Sequence, residues 1–432
     1  HPALYRPQPH STPLGTAQLM RLLDCNDAAL RLWHEDEAQW SPGLAWFNDG
    51  GYQFGEIAWQ QARRAPREVN TRYWHRLATQ PLSPALGPAR HTADLAHAHL
   101  ATLFPDSATD EPVALAIPGA MDAGQLSLLL GILQTLPVEI SAVIHRSALV
   151  GAHLGQPCAH IELQLHQASI TVIGIDNGEA HAGDTGLLPG CGLLGLLDDL
   201  AEAIGQQFVA QTRFDPQRRA DTEQALYEQI PELLKSLSTQ SEISCTVDDH
   251  TARINADTLR PVGEALSREL RQALPDSIGH IALDTLLSDL PGLSLPHPIT
   301  EVAPSDLWHA TEAHLVPAEG ELVFQRRLAC QGHDSETSPS TPAVTKPSSL
   351  QPEPSQEATQ ATHQVVSGRA TLMSTGAPIA PGVGLAGLST LLIAPDTLVH
   401  LNGQACEGEV SIQPGDRLVV GTLEVLFISV EG

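Results

Sequence analysis

A glycine cluster at residues 186–192, which reads GLLPGCG, is the strongest candidate for a ligand-binding motif in this sequence. It precedes a helix-like stretch, and glycines at the start of a helix let an anion approach exposed backbone N–H groups. Because the cluster lacks the G-K-S/T of phosphate-binding loops, we interpret it as a strand-to-helix turn, with an anion nest as the alternative. Cys191 would need a histidine base to act as a nucleophile. The sequence places none beside it, so we expect a structural thiol.

Two other groupings have residue types that bind metal ions. His91, His97 and His99 are close in sequence, but helix positions two apart point away from each other, which favours a solvated helix. The acidic pairs at residues 198–199 and 248–249 are typical of a solvated surface, with a metal site as the alternative. Neither G-x-S-x-G nor H-E-x-x-H occurs. We therefore predict no catalytic residue and no metal ligand.

Composition limits the classes of protein that the chain can be. It has 432 residues, 42% of them hydrophobic, which at about 100–200 residues per domain predicts roughly two to four domains. Acidic residues outnumber basic ones by 50 to 23, a net charge of −27, and that field repels nucleic-acid backbones. The six cysteines are scattered, and neither a signal-peptide pattern nor a long apolar run is visible. We expect a cytoplasmic protein with protein partners, without nucleic acid and without a membrane span.

The clearest domain boundary lies in the C-terminal part of the chain. Residues 331–366 are rich in Ser, Thr, Pro and Gln and nearly free of aliphatic side chains. Such a segment cannot bury enough apolar surface to offset the entropy lost on ordering. We therefore predict a body over residues 1–330, a disordered linker over 331–366 and a small all-β sandwich over 367–432. No internal repeat of fixed short period is visible.

The body alternates between strand-like and helix-like stretches, which indicates an α/β protein. The apolar run VALAI at residues 113–117 predicts a buried strand, and alternation over 161–165 predicts a hairpin with 170–175. Further strands are predicted at residues 22–33, 44–47, 52–55, 138–145 and 278–283. Helices are predicted at residues 57–64, 123–136, 146–154, 193–212, 221–237 (with Asp221 as N-cap) and 259–274.

Four stretches resemble the nucleotide-binding domain of DnaK-type heat-shock chaperones, which belong to the actin-like ATPase superfamily. Residues 41–62 are similar to the family's T-P-S-V-x-F segment and the V-G-x-x-A that follows it. Residues 113–151 resemble its V-P-A strand, helix, second strand and E-P-x-A-A-x-x-G. Residues 190–237 resemble its two-helix segment after G-G, and residues 247–274 its next strand and helix. The resemblance covers residues 22–317 and implies a two-lobed actin-like, ribonuclease-H-like fold.

The resemblance also implies where a nucleotide would bind, and every motif there is altered. The first phosphate turn, D-x-G-T-T in the family, is here DCNDAA from Asp24, and the second, D-x-G-G-G-T, is here ELQLHQ from Glu162. The family's lysine falls on Trp59, and both glycines of its adenosine loop are replaced at residues 282–291. The resemblance therefore implies a degenerate nucleotide cleft formed by Asp24, Asn26, Trp59, Glu162, His166, Gly190, Gly192 and Asp284.

Loss of four motifs at once predicts a pseudo-ATPase without cofactor that acts as a protein-binding scaffold or a regulatory, chaperone-like protein. The first alternative is a divergent ATPase that still binds ATP and Mg²⁺ through other contacts. The C-terminal residues 398–430 resemble the last strands of a forkhead-associated β-sandwich, a phosphothreonine reader. Gly368-Arg369 is the candidate for that family's phosphate-binding arginine, but the Ser-x-x-His signature is absent. A phosphopeptide-reading adaptor is therefore the second alternative.

Overall fold

The computed structural model describes residues 20–105, 111–315 and 322–330, together with short segments between residues 363 and 428. The chain divides into two compact units, residues 1–336 and 337–432. The first unit is called the body and the second unit the module. Among the described residues, no helix is both long and apolar enough to cross a bilayer.

The body combines helices and strands along its whole described length, which confirms the predicted α/β class. Its strands are β1 Arg21–Asp24, β2 Leu30–His34, β3 Glu37–Ser41, β4 Ala45–Asn48, β5 Gly51–Phe54, β6 Val69–Asn70, β7 Pro81–Leu86, β8 Ala89–His91, β9 Val113–Ile117, β10 Ile140–His145, β11 Cys158–Leu163, β12 Gln167–Asp176, β13 Glu179–Pro189, β14 Glu242–Val247, β15 His250–Asn255, β16 Ile281–Asp284, β17 Ile299–Val302, β18 Phe324–Gln325 and β19 Arg327–Ala329. Its helices are α1 Glu56–Trp59, α2 Thr92–Leu103, α3 Ala123–Leu133, α4 Arg146–Leu154, α5 Leu193–Thr212, α6 Ala220–Leu237, α7 Ala256–Ala273, α8 Thr285–Ser288 and α9 Pro304–His314, with a 3₁₀ turn at Pro216–Arg218.

Two six-stranded sheets of the body share the same strand order over five strands. The first sheet has the order β3-β2-β1-β9-β10-β18, and the second has β13-β12-β11-β16-β17 with β19 beside β13. In each sheet, three consecutive strands pair antiparallel, and two later strands run parallel to the first of the three. The body therefore contains a structural repeat, and each sheet with its flanking helices forms one lobe.

Buried apolar strands explain why these sheets form. All five residues of β9 are buried, as expected of a parallel strand covered on both faces. Each lobe has its own apolar core, and a third core joins the lobes through α4 and α9, which follow β10 and β17. Trp33 and Trp308 stack in this third core with ring centroids 6.5 Å apart. This packing brings the ends of strands from both sheets together near the start of α4.

Five predicted body helices begin and end within three residues of their predicted positions, whereas α1 ends five residues early, at Trp59, and α8 and α9 were not predicted. Helix α5 has its predicted bounds, and α3 begins with a capping box between Asp122 and Gln125. The predicted N-cap of α6 is wrong, because the helix begins at Ala220 and its N-cap is Arg219. Asp221 lies in the first turn instead, where its negative charge still stabilises the helix N-terminus.

The described residues of the module form strands in two antiparallel sheets. The strands are β20 His363–Val366, β21 Arg369–Leu372, β22 Pro378–Ala380, β23 Val383–Gly387, β24 Thr390–Ile393, β25 Val399–Leu401, β26 Gln404–Cys406, β27 Gly408–Ser411, β28 Arg417–Val420 and β29 Leu423–Ile428. One sheet has the order β21-β20-β29-β28-β25-β26 and the other β22-β23-β24-β27. One apolar core contains residues of both sheets, among them Leu391, Leu418 and Phe427.

Strand β20 corrects the predicted start of the module. Its four residues belong to the segment that we predicted as a linker, but they pair with β29 and β21. Residues 331–362 of the predicted linker lie outside the described residues. So does Gly368 of the predicted phosphothreonine contact, whereas Arg369 is the first residue of β21.

Candidate functional site

A single buried guanidinium, that of Arg146, joins three acidic residues at the centre of the body. Arg146 is the first residue of α4 and is only 3% exposed. Its Nε donates to Asp24 Oδ1 at 3.0 Å, and its Nη1 donates to Glu162 Oε1 at 3.0 Å and to Asp284 Oδ1 at 3.4 Å. Asp24 and Asp284 end strands β1 and β16, and Glu162 is next to the end of β11. Strand ends from both lobes thus bring the three carboxylates to one cation.

The ion pairs offset the effect of burial on the pKa values of Asp284 and Arg146. Burial raises the pKa of Asp284, but Arg146 and His160 outweigh burial, so that pKa lies well below its usual range. Burial lowers the pKa of Arg146, but its three carboxylate neighbours outweigh that effect and raise it. Breaking a buried ion pair costs about 3–5 kcal/mol, because the remaining charge is left without a partner. The four side chains therefore depend on one another.

The turns that follow β1 and β11 are in direct contact. Asn26, in the turn after β1, donates from Nδ2 to the carbonyl oxygen of Leu163 at 3.1 Å. The backbone N–H of Leu165, in the turn after β11, donates to Asp27 Oδ1 at 2.9 Å. Asp27 is buried, and burial raises its pKa to about 6 although backbone hydrogen bonds oppose the increase. Groups of the protein thus satisfy each other between the turns.

A cavity of about 490 Å³ lies beside the Arg146 cluster, and we name it the first cavity. Asn26, Trp59 and Asp284, three of the predicted cleft residues, line it together with Arg146. Its other lining residues are mostly apolar, and its charged ones include Arg31, Glu56 and Glu228. Asp24 and Glu162 are fully buried beneath it as partners of Arg146. Five of the eight predicted residues therefore surround or support this cavity.

Side chains connect the two lobes next to the first cavity. Gln224 on α6 donates from Nε2 to the carbonyl oxygen of Trp59 at 3.0 Å and accepts from the backbone N–H of Arg63 at 2.9 Å. The Arg63 guanidinium forms an ion pair with Asp198 on α5 and lies 3.9 Å from the ring centroid of Tyr227 on α6. The segment after α1 is thereby attached to the helices of the second lobe.

Three predicted cleft residues, His166, Gly190 and Gly192, line a different space. They contribute to a cavity of about 600 Å³, the second cavity, together with Arg72 and Arg76. His166 Nε2 donates to the carbonyl oxygen of Thr71 at 2.9 Å. Burial, followed by the charges of both arginines and the neighbouring His75, lowers the pKa of His166 to about 4. The eight predicted residues are thus divided between two cavities instead of lining one cleft.

The sequence did not single out Arg146, the residue that joins the three carboxylates of the site. The signal in the sequence was a cationic residue between an apolar strand, β10, and the first turn of a helix.

The prediction for His99 is wrong, because this residue is fully buried and not solvated. Its ring nitrogens lie 2.7 Å from Ser41 Oγ and 2.7 Å from the Tyr73 hydroxyl, and burial lowers its pKa to about 3. His99 is thus a core histidine.

The glycine cluster is a strand-to-helix turn between β13 and α5. The first helical N–H groups, those of Leu193 and Leu194, donate to the carbonyl oxygens of Gln164 and Leu165, so they are already engaged. Burial, with a smaller contribution from Glu269, raises the pKa of the Cys191 thiol. A raised thiol pKa lowers the thiolate fraction and does not favour nucleophilic chemistry.

One group of described residues has metal-binding side chains that the sequence did not indicate. Ligand atoms of Asp36, His309 and Glu312 lie within 4.8 Å of one another, and all three residues are exposed. The indole N–H of Trp308 donates to Asp36 Oδ1 at 2.9 Å. The acidic pairs considered above form other contacts, since Asp198 pairs with Arg63 and Asp248 pairs with Arg219.

The site therefore consists of a buried charge cluster at strand ends, an acidic cavity beside it and a second cavity with several basic groups. The chemistry of this site follows from these residues. No protein-family model matches this chain, and no curated protein matches it.

Proposed function

We propose that the body is a DnaK-type, actin-like pseudo-ATPase, which acts as a protein-binding scaffold or a regulatory, chaperone-like protein. The repeated strand order of its two sheets supports the actin-like, ribonuclease-H-like part of this proposal. The positions of α4 and α9 support it too. These helices follow β10 and β17, the last parallel strand of each sheet's shared five-strand order, and they belong to the core between the lobes. Cytoplasmic location and protein partners remain predictions from composition.

The position of Arg146 carries this proposal. ATP hydrolysis needs Mg²⁺ to neutralise the phosphate charge, and Mg²⁺ is held by carboxylates and water. Here the three carboxylates at the strand ends already share the Arg146 guanidinium, at 3.0–3.4 Å. A cation of the chain therefore stands where a bound metal would be needed. Three carboxylates against one guanidinium still leave negative charge, which repels a triphosphate.

The contacts between the lobes support a scaffold in particular. In a nucleotide-driven cycle, a ligand changes the relative stability of open and closed lobes through its different contacts in the two states. Here Gln224 and the Arg63–Asp198 ion pair hold the segment after α1 against α5 and α6. A body held together in this way presents a constant surface to a partner.

Residual ATP binding is the second candidate, and the first cavity is the observation that favours it. Its volume of about 490 Å³ is within the range of roughly 300–1,000 Å³ that small-molecule sites have. Trp40 and Trp59 line it and offer flat apolar surfaces to a base. Glu56, Glu228 and Asp284 oppose the phosphates in the same space.

Titration of the full chain with Mg-ATP and Mg-ADP separates the two candidates. A ligand that binds only the folded state raises its stability by about 2.7 kcal/mol at one hundred times its Kd. We expect no saturable rise in Tm and no steady phosphate release. A saturable rise with quenched tryptophan fluorescence, lost in Trp59→Phe but kept in Trp46→Phe, would place nucleotide in the first cavity and overturn the pseudo-ATPase proposal.

A further inference from the structure

The second cavity has an unusual charge for this chain. Acidic residues outnumber basic ones by 50 to 23 in the sequence, yet three arginines and one aspartate line this cavity, a formal excess of two positive charges. The aspartate, Asp198, is already paired with one of the arginines, Arg63. The other two arginines are Arg72 and Arg76. Among the described residues, no carboxylate oxygen lies within 4.0 Å of a guanidinium nitrogen of either arginine.

Arg72 and Arg76 are held close to each other by the backbone. The N–H of Arg76 donates to the carbonyl oxygen of Arg72 at 2.8 Å, so the two residues are one helical turn apart. Like charges at this spacing repel each other and destabilise the turn. Both guanidinium groups also lower the pKa of His75 and of His166, after the larger effect of burial. Their positive field therefore reaches the interior of the cavity.

Glycine and histidine residues form part of the remaining walls of the second cavity. A methyl group added to the Cα of Gly190 would meet no other atom within 4 Å, so the wall there is open. His75 and His166 have lowered pKa values, so at neutral pH they offer neutral hydrogen-bonding groups and no competing charge. The first N–H groups of α5 are already engaged, so affinity has to come from the arginines.

We propose that the second cavity binds a phosphate monoester group through Arg72 and Arg76. An arginine fork donates two parallel hydrogen bonds to a phosphate, and a dianion can accept from two forks at once. The same chemistry is found in a phosphorylated side chain of a protein partner and in a small phosphorylated solute. This site lies apart from the Arg146 cluster, so it does not depend on the state of the first cavity.

Calorimetric titration of the full chain at constant ionic strength tests this site. The probes are inorganic phosphate and a phosphoserine peptide, with the unphosphorylated peptide as its control. We expect saturable binding of a phosphorylated probe and at least a tenfold loss of affinity in the double variant Arg72→Gln/Arg76→Gln. Arg67→Gln is the matched control, because Arg67 is exposed in the same segment but does not line the cavity.

Every outcome of this titration supports or contradicts phosphate binding in the second cavity. Binding of phosphate alone supports a small-solute ligand, and preference for the phosphopeptide over its control supports a protein partner. Equal binding by the wild type and the double variant, or an equal loss in Arg67→Gln, would overturn the proposal, as would the absence of saturation. A Mg-ATP signal that disappears in the double variant belongs to the second cavity, so it leaves the pseudo-ATPase proposal intact.

Discussion

The two cavities of the body differ in how their charges are neutralised. Beside the first cavity, three carboxylates from strand ends are joined by the buried guanidinium of Arg146. In the second cavity, Arg72 and Arg76 lie one turn apart, and no described carboxylate pairs with them. The first site therefore has a cation of the chain beside its carboxylates, although Asp24 Oδ2 is buried without a hydrogen-bond partner. The second has arginines without a carboxylate partner among the described residues.

This difference follows from burial. Charges in the interior must be paired within the chain, because water cannot solvate them there. Exposed arginines such as Arg72 and Arg76 keep their hydration, so they tolerate the lack of a partner. The ion pairs of the Arg146 cluster are therefore structural, whereas the exposed arginines of the second cavity are free to contact an anion.

Removing the internal cation should have the largest effect. Arg146→Met leaves three carboxylates buried without a cation, so we expect the free energy of unfolding to fall by about 3–5 kcal/mol at pH 7. Guanidinium chloride denaturation followed by circular dichroism measures this. Arg31→Met is the comparison variant. Arg31 lines the same cavity and feels the charges of Asp24 and Asp284, but no described carboxylate lies within 4.0 Å of its guanidinium, so its loss should cost less.

An equal loss in both variants would contradict the special role of the Arg146 cluster. If Arg146→Met does not fold, the double variant Arg146→Met/Glu162→Gln removes one of the unpaired charges. It should then recover part of the folded population, which a purely steric role of Arg146 does not predict.

Asp27 should produce a smaller effect that depends on pH. Its pKa in the folded state is raised to about 6, so the folded chain binds this proton more tightly than the unfolded chain does. Its contribution to stability is present in acid and is lost as pH rises from about 4 to about 6. Asp27→Asn keeps the acceptor for the Leu165 N–H, so the variant should gain stability over the wild type across that range, reaching about 3 kcal/mol at pH 7.5.

Urea denaturation at several pH values measures this difference. Asp221→Asn is the control, because Asp221 is an exposed carboxylate with its side chain 79% accessible and its ion pair to Arg64 lies at the surface. Asp221→Asn removes this surface ion pair and a favourable charge at the start of α6, so it should not stabilise the protein at pH 7.5. A difference for Asp27→Asn that does not change with pH would mean that burial does not shift this carboxyl.

The smallest effect is expected in the second cavity and has the opposite sign to that of Arg146→Met. Arg72→Gln removes a like-charge pair at one-turn spacing, so the ligand-free protein should gain roughly 0.2–0.5 kcal/mol. Thermal unfolding at low salt measures the gain, which should disappear at high salt because exposed charges are screened. Destabilisation by Arg72→Gln at low salt would show that the arginine already has a partner.

Sequence patterns predicted the elements whose determinants are local. Helix α5 has its predicted bounds because its leucines recur on one face and glycines precede its first turn. The hairpin of β11 and β12 is visible from alternation of apolar and polar residues, although all of β11 is buried and its polar Glu162 pairs with Arg146. His99 was misjudged because its environment, Ser41 and Tyr73, comes from distant segments.

The sequence by itself determined the α/β class, many of the body elements and the absence of glycine from the turns after Asp24 and Glu162. Only the tertiary structure decided that Arg146 meets three carboxylates and that Gly190 and Gly192 line a separate cavity. It also revealed the repeated strand order of the two sheets. The physical reason is that strand order and charge pairing depend on which chain segments meet in space, and residues up to 138 positions apart contact Arg146.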